Sequence, residues 1–364
     1  MEAKKLRLHS QHMALNANFS PASGWLVPMH YGSLEDEYKA LSAFAGIVDR
    51  SYLGKLRVTG KDGVDLLNRL STNDLLSLQC GQLRPTVLTT ENGRIVDCLV
   101  VYALDGSLLT LTSPGTEQRV IDWIGKFTIM EEIQVETVTQ DFAIFSILGP
   151  KADSLLNSVL SYPVETLERL AFLEIELEPG ASVRISRGTD LKHHGFNLIV
   201  TSKNADAFWN RLRHAAGQSV KPVGFEAFEI YRIEHGIPRF GAELTEEINP
   251  LEANLLDAIS FSKGCYIGQE VIARLDTYKK VQKELCQVLL ERPLQRHPET
   301  AAELFSEGEK IGWITSLAPS PDSGGAMGLA YVRSRFVQKG RDVTVKIEGE
   351  EVRAHLRKLS GDQQ

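Results

Sequence analysis

An α+β fold is predicted, with two such units in succession followed by a small β-barrel, and three observations carry it. Between Gly54 and Thr139 the apolar residues switch from a period of two to a helical period and back, and a comparable order returns from Phe142. After Lys279-Lys280 the chain changes to short alternating runs parted by Gly and Pro. With 364 residues, 43% of them hydrophobic and 24% charged, the chain is long enough for several packed units and has the composition of a globular protein.

From Gly54 to Thr139 the order reads as a βαββαβ unit. GKLRVTG alternates, with Leu56 and Val58 on one face, and Thr59 with Asp62 offers capping chemistry for a helix whose apolar stripe is Val64, Leu66, Leu67 and Leu70. RPTVLTTENGRIVDCLVVYAL holds two apolar runs around the turn Glu91-Asn92-Gly93, SLLTLTS adds a strand, Val120, Trp123, Ile124 and Phe127 have helical spacing, and IQVETVT closes the unit. The second unit runs through FAIFSILG, a helix over KADSLLNSVL, strands near LEIELEP, SVRISR and FNLIVT, and a helix over ADAFWNRLRHAAG. The two orders suggest a structural pseudo-repeat with little self-similarity of residues. The barrel is expected from LCQVLLE, KIGWITSLAPS, GAMGLAYVRS and RDVTVKIEGEEVRAHLRKL.

Composition narrows the function. Forty Lys plus Arg against 47 Asp plus Glu give a net charge of −7, which argues against a nucleic-acid binder relying on a positive surface. Cys80, Cys98, Cys265 and Cys286 are too few and too scattered for a disulfide framework, and no CxxC pair exists. Neither a signal-peptide pattern nor a run of about 18 apolar residues occurs, so no membrane association and a reducing, cytoplasmic compartment are expected.

Three segments could carry chemistry. In KGCYIGQEVIAR, Cys265 follows a glycine, has Lys263 nearby and precedes a helix starting around Gln269; a cation and helix N-terminal amides lower thiol pKa values, while the bland alternative is a packed cysteine between two glycine turns. Asp97 is a carboxylate inside an otherwise apolar strand, so it is hydrogen-bonded, functional, or paired with Arg94 on an edge strand. In PVGFEAFEIYRIEHGIPRFG, Phe225, Phe228 and Ile233 share a core face, while Glu226, Glu229, Arg232 and Glu234 form a polar side ending at Gly236. Arg232 suits an anion or a flat heterocycle; the common alternative is an i,i+3 pair with Glu229. His193-His194 lacks a third ligand at metal spacing, so no metal site is expected, and no Gly-rich phosphate loop is present.

KGCYIGQE resembles the signature of the YgfZ-type folate-binding proteins, which assist iron–sulfur protein maturation, and nearly the whole chain is similar to the broader glycine-cleavage T-protein superfamily. The similarity runs through Gly24 to Ser51, Leu56 to Asp74, Asn92 to Tyr102, Tyr231 to Gly241 and Gly312 to Ser320. It implies a T-protein-like α+β fold arranged around a central cavity for tetrahydrofolate or a derivative. Residues 1–53 and 140–278 would form the folate-binding region, 54–139 an inserted unit and 279–364 the barrel. Asp97 falls where aminomethyltransferases carry the aspartate that orients the folate amine, and Arg232 where a folate-contacting arginine lies; Ser113, Lys263, Tyr266 and Gln269 complete the expected ligand contacts.

Departures from the T-protein pattern matter too. The pterin-binding glutamate is missing from the segment ending His193-His194-Gly195-Phe196, a family tyrosine is replaced by Pro85, an asparagine by Ser113, and an acidic-aromatic pair by Cys265-Tyr266. Pterin N–H donors pair best with a carboxylate, so its loss speaks against group transfer. The function so implied is a folate-binding accessory factor in the assembly or repair of iron–sulfur client proteins, with Cys265 as working thiol and Asp97 beside it as the second catalytic candidate. The alternative is a tetrahydrofolate-dependent aminomethyltransferase or methyltransferase.

Overall fold

The structure is a computed structural model that describes residues 3–188, 195–215, 220–293, 302–321, 324–337 and 341–359. The amino-terminal stretch forms β1 (Lys4–Lys5), α1 (His9–Ala14), β2 (Asn18–Ala22), β3 (Trp25–His30), α2 (Leu34–Ala43) and β4 (Ala45–Asp49). Next come β5 (Gly54–Thr59), α3 (Gly63–Leu70), β6 (Leu83–Thr89), β7 (Ile95–Leu104), β8 (Ser107–Thr112), α4 (Glu117–Lys126) and β9 (Gln134–Thr137). The middle of the chain holds β10 (Phe142–Leu148), α5 (Ala152–Leu160), β11 (Phe172–Glu178), β12 (Ala181–Arg187), β13 (Gly195–Thr201), α6 (Ala205–Ala215), β14 (Val220–Pro222), α7 (Phe225–Glu234) and α8 (Gln269–Thr277). The last strands are β15 (Lys283–Leu290), β16 (Glu303–Ser306), β17 (Glu309–Pro319), β18 (Ala326–Arg333), β19 (Arg341–Ile347) and β20 (Glu350–Lys358).

Contacts divide the chain into two compact units, the first made of Met1–Asn68, Leu75–Pro85 and Leu99–Phe228, the second of Arg69–Asp74, Thr86–Cys98 and Glu229–Gln364. The division passes through α3, β6, β7 and α7, so the segment from 54 to 139 contributes to both units.

In the first unit a six-stranded sheet has the order β11-β12-β13-β10-β4-β14. Its inner strand β10 is apolar on both faces: Ala143, Phe145 and Ile147 join a cluster with Leu156 of α5 and Trp209 of α6, while Ile144 joins Tyr102, Leu109 and Phe172 in another. A five-stranded sheet, β6-β7-β8-β5-β9, has three strands between α3 and α4, which are the two apolar runs and the SLLTLTS strand read from the sequence, although the βαββαβ order counts only two there. Asp105-Gly106 adds the third: Leu104 pairs with Ser107, so a two-residue turn with Gly106 at φ 68° folds β7 straight back into β8.

In the second unit β15-β18-β17-β16-β19-β20 close into a barrel. Along β20, Val352, Ala354 and Leu356 are buried and alternate with exposed residues, filling the barrel with Val288, Leu304, Ile311 and Val332. The short strand β16 that completes it has no counterpart in the sequence expectations.

Candidate functional site

Asp97 sits on β7 just after a tight turn. Thr90 N–H donates to Arg94 O at 2.9 Å and Gly93 N–H to Thr90 O at 2.8 Å, with Gly93 at φ 67°, a conformation that costs glycine little. From there Ile95, Asp97 and Leu99 fall on one face by the period of two, and all are buried. The Asp97 carboxylate is fully buried, and its Oδ1 accepts the Cys98 N–H at 2.8 Å, which fixes its rotation. Burial, and then the neighbouring Asp97 charge, push the Cys98 thiol well above its ordinary pKa, so Cys98 is no nucleophile.

Two contacts within the second unit hold this hairpin. At its tip, Gly268 caps the start of α8 at φ 84°, and a Cβ there would lie 2.6 Å from Thr90 O and 2.9 Å from Gly93 Cα. Thr89 Oγ1 donates to Ile267 O at 2.5 Å beside it. On the flank, Ile95 N–H donates to Ile248 O at 2.9 Å, and Arg94 Nη1 reaches Glu247 O at 2.8 Å and Glu252 Oε2 at 3.3 Å. Arg94 therefore pairs with Glu252 rather than with Asp97. KGCYIGQE and the Asp97 strand are in this way packed backbone against backbone.

Within that motif the side chains have separate tasks. Lys263 Nζ donates to Ser71 O at 2.9 Å and Asn73 O at 2.6 Å and lies 5.3 Å from the Tyr266 ring centre. Burial pushes its pKa down to about 8, opposed by the Asp74 charge. The cation expected to activate Cys265 is thus engaged with the 71–73 backbone. Tyr266 packs with Leu251, Ile259 and Ile272, and burial raises its hydroxyl to about 12, so it serves the core. Cys265 is exposed, and Gln269 opens α8, as the sequence predicts.

Arg232 is 2% exposed, where the sequence pattern puts a solvated helix face. Its Nε and Nη2 grip Glu229 at 2.7 Å each, Nη2 also donates to Ser316 Oγ at 2.6 Å, and Nη1 donates to Glu243 Oε2 at 3.2 Å and Ile237 O at 3.3 Å. All five N–H donors are used inside the second unit, which leaves none for the folate contact expected of it. Burial opposes the guanidinium charge, but the bonds to and charges of Glu229 and Glu243 raise its pKa above the ordinary value.

Ser113, in the first unit, is half-buried at the β8–α4 turn, where its carbonyl accepts the Thr116 hydroxyl at 2.8 Å. His193-His194 lies outside the described residues. Among the described residues no group of three His, Cys, Asp or Glu could hold a metal, and no helix is long and apolar enough to cross a membrane.

Several buried polar groups carry no mark in the sequence. Glu243 is fully buried, holding Arg232, Thr315 and Ser316, and Glu252 is nearly so, with its pKa raised by burial. In the first unit His12 lies between Asp49 Oδ2 and the Tyr31 hydroxyl at 2.8 Å each, and Lys55 donates to Ser51 O, Leu53 O and Thr139 O at 2.8, 2.9 and 3.2 Å. Asn249-Pro250 preceding Glu252 is the one local signal, since Asn before Pro favours a turn.

The GCVT N-terminal domain family matches residues 8–263, and the glycine cleavage T-protein C-terminal barrel domain matches residues 283–360. The chain belongs to the glycine cleavage T-protein family. This T-protein-family chain is 30% identical to the aminomethyltransferase of Thermotoga neapolitana over 97% of its own length and 96% of the relative's. It is 27% identical to the aminomethyltransferase of Lysinibacillus sphaericus, covering 97% and 96%, and 30% identical to a putative chloroplastic transferase of Arabidopsis thaliana, covering 86% and 72%. The crystal structure of the glycine cleavage system aminomethyltransferase T of Bartonella henselae superposes with a TM-score of 0.85 over 98% of both chains at 24% identity, which establishes the α+β T-protein fold with its six-stranded barrel.

Proposed function

We propose that this protein is a tetrahydrofolate-dependent one-carbon transferase of the aminomethyltransferase type. The observation that carries this is the fully buried Asp97 carboxylate, oriented by the Cys98 N–H and seated on a hairpin gripped at its tip and flank. Such a carboxylate suits a folate amine, because it accepts an N–H bond and aims the nitrogen lone pair. As that lone pair forms the new C–N bond, the N–H proton becomes acidic and passes to the carboxylate. The bond from the transferred carbon to its leaving group breaks, and its electron pair leaves with that group. Low dielectric around Asp97 strengthens this interaction in the developing cation. Relatives named aminomethyltransferase along almost the whole chain support the same choice.

Titration with tetrahydrofolate followed by tryptophan fluorescence, on the parent and on Asp97→Asn, tests it. The variant keeps shape and loses charge, so its affinity should fall about tenfold or more with an unchanged circular dichroism spectrum. Equal affinity and equal transfer by the two proteins would leave Asp97 a structural residue.

A second function, service to iron–sulfur proteins of the YgfZ type, is supported by the Cys265 thiol, which with Cys80 is one of the two exposed cysteines, while Cys98 and Cys286 are both pushed up by burial. Alkylation mapped by mass spectrometry should then mark Cys265 first. Full rescue of iron–sulfur enzyme activity by Cys265→Ser in deficient cells would remove it.

A further inference from the structure

Three residues upstream of Asp97, Arg94 pairs with a charged partner on another segment of the second unit, and that partner is almost out of water. The Arg94 side chain is 41% exposed and that of Glu252 is 7% exposed. Glu252 belongs to a closed turn: its Oε2 accepts the Asn249 N–H at 3.0 Å, and Asn249 Oδ1 accepts the N–H groups of Leu251 and Glu252 at 3.0 Å each. The same residue is tied to the barrel, since Glu252 O accepts the Leu285 N–H of β15 at 2.9 Å. The 247–252 segment is therefore a fixed anchor, and the hairpin is the part that needs holding.

We propose that Arg94 is the positioning residue of Asp97, strapping the strand that carries the carboxylate to the 247–252 segment. Two successive residues are pinned there, Arg94 through its guanidinium and Ile95 through its backbone N–H. Asp97 lies on the same face of the strand two residues beyond Ile95, about 7 Å along it, so a shift at the pinned end is passed on to the carboxylate. Proton acceptance tolerates little displacement, and misplacement by about 1 Å costs on the order of a hundredfold in rate. Thr90 and Gly93 govern the shape of the turn, but neither reaches the anchor; Arg94 does. This role rests on Asp97 facing the folate amine.

A double-mutant cycle on the full chain separates positioning from plain stabilisation. Arg94→Ala, Asp97→Asn and the double variant are titrated with tetrahydrofolate under reducing conditions, with Arg57→Ala as control because its pair with Glu136, at 2.9 Å, is a surface Arg–Glu bridge of the first unit. Arg94→Ala should weaken binding about tenfold, and the double variant should bind no more weakly than Asp97→Asn alone, since Arg94 acts through the carboxylate. Arg57→Ala should bind as the parent does. Should Arg94→Ala fail to fold, Arg94→Lys and Arg94→Gln enter the same cycle, the lysine expected near the parent and the glutamine near the loss. Losses that simply add, or an Arg94→Ala or Arg94→Gln variant that binds as the parent does, overturn the positioning role and leave Asp97's own role standing. An Asp97→Asn variant that binds as the parent does overturns both.

Discussion

At the scale of single residues, what the sequence reveals depends on whether a side chain's partner is local. Asp97 is legible because a carboxylate between Val96 and Cys98 in an apolar run has to be accounted for, and its Oδ1 partner is the very next N–H. Lys55 is illegible: GKLRVTG puts it on the polar face of β5 beside Arg57, but it turns onto carbonyls of residues 51, 53 and 139 that only the fold assembles. Burial lowers its pKa from 10.5 to about 7, against the charges of Asp49 and Glu117. The unfolded chain then binds more protons than the native one between about pH 7 and pH 10.5, so this group makes stability rise with pH across that window. Lys263, lowered to about 8, adds in the same sense above pH 8. Urea unfolding at pH 7, 8 and 9 should show the parent gaining stability, by at most about 1.4 kcal/mol per pH unit for each lysine, and Lys55→Met should flatten the slope between pH 7 and 8. An unchanged slope in the variant would assign the dependence elsewhere.

Elements were legible where pattern and turn chemistry agree. The hairpin at Glu91-Asn92-Gly93, the start of α8 at Gln269 and the strands of the barrel other than β16 all stand where periodicity puts them. The amino-terminal strands were not legible, because β2 and β3 contain Pro21 and Pro28, which argue against strands. Here β1 spans only two residues and reaches no further than Leu26, so Pro28 breaks no bond to it. The contact of Gly268 with the Asp97 hairpin is the least visible feature, since it joins residues far apart in sequence. Gly268→Ala would place a methyl 2.6 Å from a carbonyl oxygen at a φ of 84° that L residues avoid. It should destabilise the protein by roughly 1–3 kcal/mol and speed amide exchange in residues 86–98 more than in the barrel strands. Uniform exchange changes, or none, would mean that the hairpin does not depend on that contact.

For the whole molecule, the class of fold follows from the alternation of patterns, while the assignment of segments to units does not, because contacts rather than chain order decide it. The 54–139 segment reads as one unit, yet its residues 69–74 and 86–98 pack with the carboxy-terminal part. Asp97, Arg94 and the KGCYIGQE motif consequently share one unit, and Ser113 belongs to the other. A ligand that uses Asp97 must stabilise whichever unfolding transition includes the second unit. Tetrahydrofolate at about 100 times its dissociation constant adds roughly 2.7 kcal/mol to a native state that alone binds it. For units of this size that amounts to a rise of roughly 5 to 10 °C in melting temperature. Differential scanning calorimetry should find that rise in the parent and a smaller one in Asp97→Asn at the same ligand concentration. If two transitions are resolved, the one that moves should be the one that Gly268→Ala lowers, since both changes act on the same hairpin. A melting profile indifferent to every reduced folate at millimolar concentration would exclude folate as the ligand and leave Asp97 a buried structural carboxylate.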